Sequence, residues 1–339
     1  MPLRWRIEKA GDMARLQLQS FALAPLDVDA VRVAVKAVGL NFADIFALTG
    51  LYSATPKGAF TPGLEFSGVV AQSRSAKFHV GDKVMGCIRF GAYSSSVDVQ
   101  AHQLYPLPSD WSFEQGAAYL VQTMTAWYAL STLGALNKDK LTLIQSAAGG
   151  VGLQAMNICK ALQVPTIATV SSEAKAQYLR AHFATEVIVR APNFAQQLKQ
   201  TLNGRALLLV LDAVGGKVQR DCFKALAPTG RLVVFGAAEF TPGQRKPSWL
   251  NLAWKYLTRP KYDALAMISD NTSVMAFNLI WLWQNQLLFE QLLQELQALA
   301  LPPPMVGHSF SFSEAHEALQ CLRSGQSMGK VVLVSVSYT

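Results

Sequence analysis

A chain of 339 residues, with 51% hydrophobic and only 15% charged side chains, is long enough for two domains and builds large cores readily. Its four cysteines, Cys87, Cys159, Cys222 and Cys321, lie far apart with no C-x-x-C pair and no Cys/His cluster. That spacing excludes a disulfide framework and a structural zinc lobe, and fits reduced thiols in a cytoplasmic protein. The net charge of +8 is dispersed rather than gathered into a stripe, which argues against nucleic acid as a partner.

Met1-Pro-Leu-Arg-Trp-Arg6 has no apolar h-region, so no secretory signal is expected. No uncharged apolar run reaches the ~18 residues of a membrane span. Residues 1 to 117 read as β-rich. Val31–Val38 alternates for part of its length as a half-buried strand does, and Glu65–Ala71, Lys83–Cys87 and Ala92–Val97 are further short strands. Turn signals at Thr61-Pro-Gly63 and Val80-Gly-Asp82 separate them. Short strands with glycine-rich turns predict a barrel-like domain.

From residue 118 the texture changes. Leu120–Leu133 reads as an apolar helix, and Leu141, Leu143 and Ile144 as a short buried strand. Ala147-Ala148-Gly149-Gly150-Val151-Gly152 then forms a small-residue turn into a helix over Leu153–Leu162. Strand, glycine turn and helix in that order open a dinucleotide-binding unit, where backbone N–H groups and a helix N-terminus must approach a pyrophosphate. Written as G-x-G-x-x-G, the first glycine is Ala147. Four further strands follow, Pro165–Val170, Glu186–Val189, Ala206–Leu211 and Gly230–Phe235. Helices over Glu173–His182, Phe194–Leu202 and Val218–Leu226 lie between them. Continuous apolar strands alternating with helices imply a parallel sheet covered on both faces.

Residues 240–262 break the rhythm. Arg245, Lys246, Lys255, Arg259 and Lys261 fall there without an acidic residue, among Trp249, Trp254, Tyr256 and Tyr262. Such a segment could lie on a membrane surface. The reading preferred here is a lid or dimer-contact loop that buries its tryptophans against protein. A sixth strand over Ser273–Ile280, a helix over Gln286–Leu299, a Pro302-Pro-Pro304 break, a helix over Ser313–Leu322 and a strand over Lys330–Val336 close the chain.

Asn41-Phe-Ala-Asp44, Gly50-Leu-Tyr52, Pro62-Gly-Leu-Glu65-Phe-Ser-Gly68, Val80-Gly-Asp-Lys-Val84, Gly91-Ala-Tyr93, Asp212-Ala-Val-Gly-Gly216 and Gly329-Lys-Val-Val-Leu333 stand in this order along with the glycine turn. In this the chain resembles the medium-chain dehydrogenase/reductase superfamily, in its zinc-free quinone oxidoreductase branch. Its 240–275 segment and apolar C-terminal helix are most similar to the vesicle-amine-transport-protein-like subgroup. The resemblance implies an α/β fold with a doubly wound parallel (Rossmann) domain, residues 118–284, inserted into a β-rich GroES-like catalytic domain, residues 1–117 plus 285–339. It also implies a homodimer formed partly through the nucleotide-domain sheet. Where the superfamily's zinc alcohol dehydrogenases carry a Cys and a His, this chain has Asn41 or Phe42 and Leu64, so no metal is expected.

An NAD-binding unit offers Asp or Glu at the second strand's end, about 20 residues past the glycines. Here the tip is Ser171-Ser172, with Lys175 a turn on and Arg190 after the third strand. Hydroxyls and cations suit a 2′-phosphate, so NADPH is the expected cofactor. Two alternatives stay open. Ser171, Ser172 and Lys175 can simply cap and solvate the next helix, and Glu173 can take a ribose if the strand runs two residues longer.

The resemblance further implies cofactor contacts from Asn41, Thr125, Ala148, Gly149, Gly150, Val151, Gly236 and Lys330. It makes Tyr52 and Asn41 the catalytic candidates, Tyr52 as donor to the carbonyl oxygen that gains charge when hydride reaches a quinone or enone, and Asn41 as a neutral donor and positioning group, or a residue that only fixes its loop. Tyr52 also reads as a packed aromatic, Asp44 as a helix cap, and Asp212 with Gly215-Gly216 as the shape of a turn. The expected function is NADPH-dependent reduction of a quinone or other α,β-unsaturated carbonyl. The alternatives are an enoyl-thioester reductase, or a nucleotide-binding protein with little catalysis that acts through a membrane or partner.

Overall fold

The computed structural model describes residues 1–241, 247–283 and 285–335. Arg245 and Lys246 of the basic segment, and Val336 at the end of the expected last strand, lie outside the described residues. The chain forms two compact units. One gathers Met1–Val121 with the chain from Pro303 onward, and the other Gln122–Thr241 with Ser248–Pro302.

The first unit is built on a seven-stranded mixed sheet. Its path runs Val306–Ser311, Lys330–Val334, Ala30–Gly39, Glu65–Ser73, Lys83–Cys87, Leu104–Pro106, with Ser96–Gln100 also paired to Ala30–Gly39. The ten-residue strand Ala30–Gly39 organises it. One edge pairs with Glu65–Ser73 throughout, while the other meets Ser96–Gln100 at residues 30–34 and Lys330–Val334 at residues 37–39. Register shifts beside Val33 and Ala37 mark where the strand turns from one partner to the other, a barrel device. Phe66, Ile45, Leu48, Leu104 and Tyr93 fill the core beneath it. The expected strand Ala92–Val97 begins only at Ser96, because Tyr93 is taken into that core and Ser94 makes only an isolated bridge to Arg4. The half-exposed strand Val306–Ser311 has no sequence counterpart above.

The second unit holds six strands, all parallel, in the order Glu186–Val189, Thr166–Val170, Leu141–Ile144, Leu207–Asp212, Leu226–Val234, Ser273–Ala276. Counted along the chain this is 3-2-1-4-5-6, the doubly wound order, and ligands bind where it reverses, beyond Ile144 and Asp212. Leu143, Ile167, Leu207, Val210 and Leu232 are wholly buried, as a sheet covered on both faces requires.

Several boundaries differ from the sequence reading. The helix expected to end at Leu226 is Gly216–Lys224, and Leu226 pairs with Leu207 in the sheet. The helix over 120–133 is α-helical only to Trp127, then a π-turn to Leu133. The sixth strand stops at Ala276, because Asn278 caps a short helix, Leu279–Leu282. Helix Gln286–Gln297, assigned above to the catalytic domain, belongs to the second unit. Phe289, Leu292, Leu293 and Leu296 are buried, and Glu295 accepts the indole N–H of Trp127 at 2.8 Å. Among the described residues no helix is long and apolar enough to cross a membrane.

Candidate active site

In the second unit the strand Leu141–Ile144 leads through buried Gln145 to Ser146, whose φ of +52° turns the chain sharply. Ala147 N–H donates to the Thr169 carbonyl (3.0 Å) and Gly149 N–H to that of Ser146 (2.9 Å), which fixes the turn. Helix Gly150–Ala161 starts from Gly149, so the amides of Gly150 and Val151 open it without intrahelical acceptors. A side chain at Gly152 would put its Cβ 2.4 Å from the Ser146 carbonyl oxygen and 2.6 Å from Ala147 Cα. Only glycine lets the helix start this close to the turn. Ala147, in place of the first glycine, is fully buried and tolerated. Gly236 follows the strand Leu226–Val234 and approaches the next turn similarly, with a Cβ there 3.0 Å from the Ala213 carbonyl oxygen. Thr125 is buried on helix Leu120–Trp127 of the same unit.

The second strand ends at Val170, leaving Ser171 exposed and Ser172 at the helix N-cap with no side-chain capping bond. The structure places the groups of both alternatives elsewhere at this tip. The Ser172 hydroxyl is not used as a cap, and Glu173 lies in the helix with its carboxylate on Arg180 at 2.6 Å. Arg190 is anchored beside the tip, its N–H on the Val170 carbonyl (2.9 Å) and its guanidinium donating to Thr169 Oγ1 (3.0 Å). Burial, and then the Arg190 charge, pull the Lys175 ammonium below its ordinary range, which places the two cations close together. Two cations that repel one another beside two hydroxyls favour an anion.

Three residues behind this tip were not singled out from the sequence. Thr169 Oγ1 donates a hydrogen bond to Gln145 Oε1, and Gln145 Nε2 donates to Cys222 Sγ at 2.9 Å. Asp212, buried at the end of the fourth strand, accepts from the N–H groups of Val214 (3.2 Å) and Gly215 (3.1 Å) and from Gln219 Nε2 (2.7 Å). It shapes the turn. Burial raises its carboxyl to about 6, against those bonds.

The first unit carries a second polar cluster, almost closed to solvent. Lys330 Nζ donates to Glu65 Oε1 (2.7 Å) and to Asn41 Oδ1 (2.9 Å). Asn41 Nδ2 donates to Glu65 Oε1 (3.0 Å) and the Gly39 carbonyl (3.3 Å), and Glu65 Oε2 accepts from Val121 N–H (3.1 Å). Asp44 reaches back to the N–H of Asn41 (2.8 Å), capping helix Phe42–Leu48, and takes a bond from Tyr93 OH (3.2 Å). Its other oxygen, Oδ1, is buried without a partner. Burial raises the Asp44 carboxyl to about 7, opposed by Asn41 N–H, the Lys330 charge and Tyr93.

This geometry ties two of the expected site residues to one another. Both amide hydrogens of Asn41 are engaged, by Glu65 and Gly39, and its Oδ1 accepts from Lys330, which fixes the side chain in place. Lys330 was read as a cofactor contact. Its side chain is only 4% exposed and its ammonium braces Asn41 against Glu65. Tyr52 is half-buried against the first unit's core, and its carbonyl accepts from Thr55 N–H and Oγ1.

Residues 27–109 match the alcohol dehydrogenase GroES-like domain, and residues 183–333 a zinc-binding dehydrogenase domain. The chain is 29% identical over 330 residues to the synaptic vesicle membrane protein VAT-1 homolog of Danio rerio, covering 96% of this chain and 68% of that protein. The Escherichia coli quinone oxidoreductase complexed with NADPH superposes with a TM-score of 0.84 at 25% identity, over 98% of this chain and 99% of that one. The chain belongs to the medium-chain dehydrogenase/reductase superfamily. Its place is the branch of quinone oxidoreductases and VAT-1 homologues. The CurK enoyl reductase shares the fold equally well, with a TM-score of 0.84 at 24% identity over 99% of each chain.

One matching domain is named for zinc, so the donor set of this chain matters. Leu64 is a buried aliphatic residue and Asn41 is held by Lys330 and Glu65. Among the described residues no three His, Cys, Asp or Glu side chains are grouped to hold a metal ion. Glu65 and Tyr93 are the residues of the first cluster that the sequence reading passed over. Both sit inside motifs quoted for the family, Pro62-Gly-Leu-Glu65 and Gly91-Ala-Tyr93, and that was the available signal.

Proposed function

We infer that the chain is a zinc-independent oxidoreductase that uses NADPH to reduce a quinone or another α,β-unsaturated carbonyl. The observation that carries this reading is the pair Lys175 and Arg190 beside Ser171-Ser172, with Glu173 turned to Arg180. An adenosine ribose bearing a free 2′-OH needs a carboxylate at that tip, and a 2′-phosphate needs cations and hydroxyls. The tight Gly152 turn and the free amides of Gly150 and Val151 fit a pyrophosphate. When bound, NADPH supplies the hydride. The chain's own residues bind it, orient the substrate and meet the charge that develops on the substrate oxygen.

Tyr52 is the residue given that last role. With the hydrogens of Asn41 occupied and no metal-binding set offered, a phenol is the donor left to stabilise an enolate or hydroquinone oxygen and to deliver its proton. A homodimer joined along the edge strand Ser273–Ala276 accompanies this reading.

The test is NADPH oxidation against a panel of quinones, enals and enoyl thioesters, with Tyr52→Phe beside the wild type. Turnover of a quinone or enal, reduced roughly 100-fold by Tyr52→Phe with NADPH affinity unchanged, is the expected result. Turnover of enoyl thioesters alone would move the substrate class. Equal rates for the two proteins would remove Tyr52 from the chemistry.

A further inference from the structure

Arg190 takes its direction from what lies behind it. It follows the strand Glu186–Val189, and its N–H carries the parallel ladder on to the Val170 carbonyl. Strand neighbours alternate between faces, so Thr169 shares the face of Ile167, which lies in one core cluster with Cys222. The Thr169 side chain is wholly buried there, and the half-buried guanidinium of Arg190 donates to its Oγ1 at 3.0 Å.

The direction of every bond in this set is forced. A guanidinium only donates, so Thr169 must accept from it and send its own hydrogen elsewhere. That hydrogen goes to Gln145 Oε1, which leaves Gln145 Nε2 to donate to Cys222 Sγ at 2.9 Å. The opposite setting of the amide would aim N–H groups at a hydroxyl already receiving Arg190, and would strand the threonine hydrogen. Gln145 is 1% exposed and Cys222 wholly buried, so bulk water does not compete for these bonds.

The acceptor that holds Arg190 is neutral. Elsewhere the chain grips an arginine with a carboxylate, Arg32 donating to both oxygens of Asp98 at 2.7 Å. Arg190 feels Asp212 through its charge, while the oxygens of Asp212 accept from Val214, Gly215 and Gln219. A carboxylate in direct contact would neutralise the guanidinium where an anion needs it. A hydroxyl fixes the planar group and leaves its charge and remaining N–H donors to a phosphate. Burial pulls the guanidinium below its ordinary range, so an arriving anion relieves a desolvated cation. The backbone of Thr169 serves the other end of the cradle, its carbonyl accepting from Ala147 N–H at 3.0 Å.

We propose that Thr169, its hydroxyl oriented by Gln145, is the positioning residue that holds Arg190 toward the 2′-phosphate and so sets the preference for NADPH over NADH; this rests on the NADPH reading given above. Dissociation constants for both cofactors are measured by calorimetric titration on the wild type, Thr169→Val, Thr169→Ser, Arg190→Gln and the Thr169→Val/Arg190→Gln double variant. Their ratio is taken within each folded protein, so a general loss of stability drops out of it. Thr169→Val lowers the NADPH preference about tenfold, while NADH affinity holds because the backbone bond to Ala147 stays. Thr169→Ser keeps the wild-type preference. Added to Arg190→Gln, Thr169→Val changes the ratio no further, because it acts through that side chain. If Thr169→Val does not fold, Gln145→Met removes the acceptor that orients the hydroxyl and lowers the preference roughly threefold.

A wild-type preference for NADPH that survives intact in Thr169→Val, or in Gln145→Met where that variant stands in, would overturn the proposal and leave the cofactor reading in place. So would a Thr169→Val effect that NADH shares, that Thr169→Ser does not restore, or that persists in the Arg190→Gln background. Equal affinities for the two cofactors in the wild type would overturn both.

Discussion

Lys330→Met removes one charge from a site with almost no solvent. Lys330 is 4% exposed and Glu65 1%, with Nζ and Oε1 2.7 Å apart. Without the ammonium, the Glu65 carboxylate loses its one cationic partner named above and keeps the bonds from Asn41 Nδ2 and Val121 N–H. Breaking a buried pair by deleting one partner costs about 3–5 kcal/mol, because the remaining charge stays buried. Glu65→Gln in the same chain neutralises that charge and retains a carbonyl acceptor, so the double variant recovers more than half of the loss. Equilibrium urea unfolding, followed by tryptophan fluorescence, reads both effects. The two compact units can unfold separately, and the loss belongs to the transition of the unit containing buried Trp5. A loss under about 1 kcal/mol for Lys330→Met would place the pair with weak surface bridges. A double variant no better than the single would refute the reasoning about the stranded charge.

Two further outcomes follow from the same geometry. Asp44 is raised from 3.8 to about 7, so between those values the folded state holds a proton that the unfolded state releases. Its contribution to stability is present on the acid side and is lost as pH rises from about 4 to 7, by about 4 kcal/mol if it acts alone. Asp212, raised to about 6, slopes the same way. Asp44→Asn flattens the larger part of the decline; urea midpoints measured across that range check this, and curves parallel to the wild type count against it. Gly152→Ala forces a Cβ to 2.4 Å from a carbonyl oxygen, so the turn must move. It lowers NADPH affinity at least about tenfold and costs about 1–3 kcal/mol, measured by cofactor titration and thermal unfolding.

Elements with one unbroken period are legible in the sequence. Glu173–His182 and Phe194–Leu202 have the bounds their apolar spacing predicts. Boundaries slip where a residue serves two neighbours, as Leu226 does between helix and sheet, or where Asn278 caps a turn inside an apolar run. The glycine turn and the serine tip read well because the glycines, serines and Lys175 follow one another along the chain. The first unit's cluster reads poorly because its bonds span the chain, with Lys330 meeting Asn41 across 289 positions and Glu65 across 265. A lysine opening the strand Lys330–Val334 carries no local sign that it is buried. The tryptophans of 249–258 show the converse. Their composition suggests burial, and only the direction of the helix reveals an outward face.

The most direct measurement is a pair of dissociation constants, for NADPH and NADH, on the wild type and on Lys175→Met with Arg190→Gln. Charge-assisted bonds of about 1.5–3 kcal/mol predict NADPH tighter by about tenfold to a hundredfold in the wild type. In the double variant that preference disappears while NADH affinity holds. Equal affinities for the two cofactors in the wild type would contradict the account.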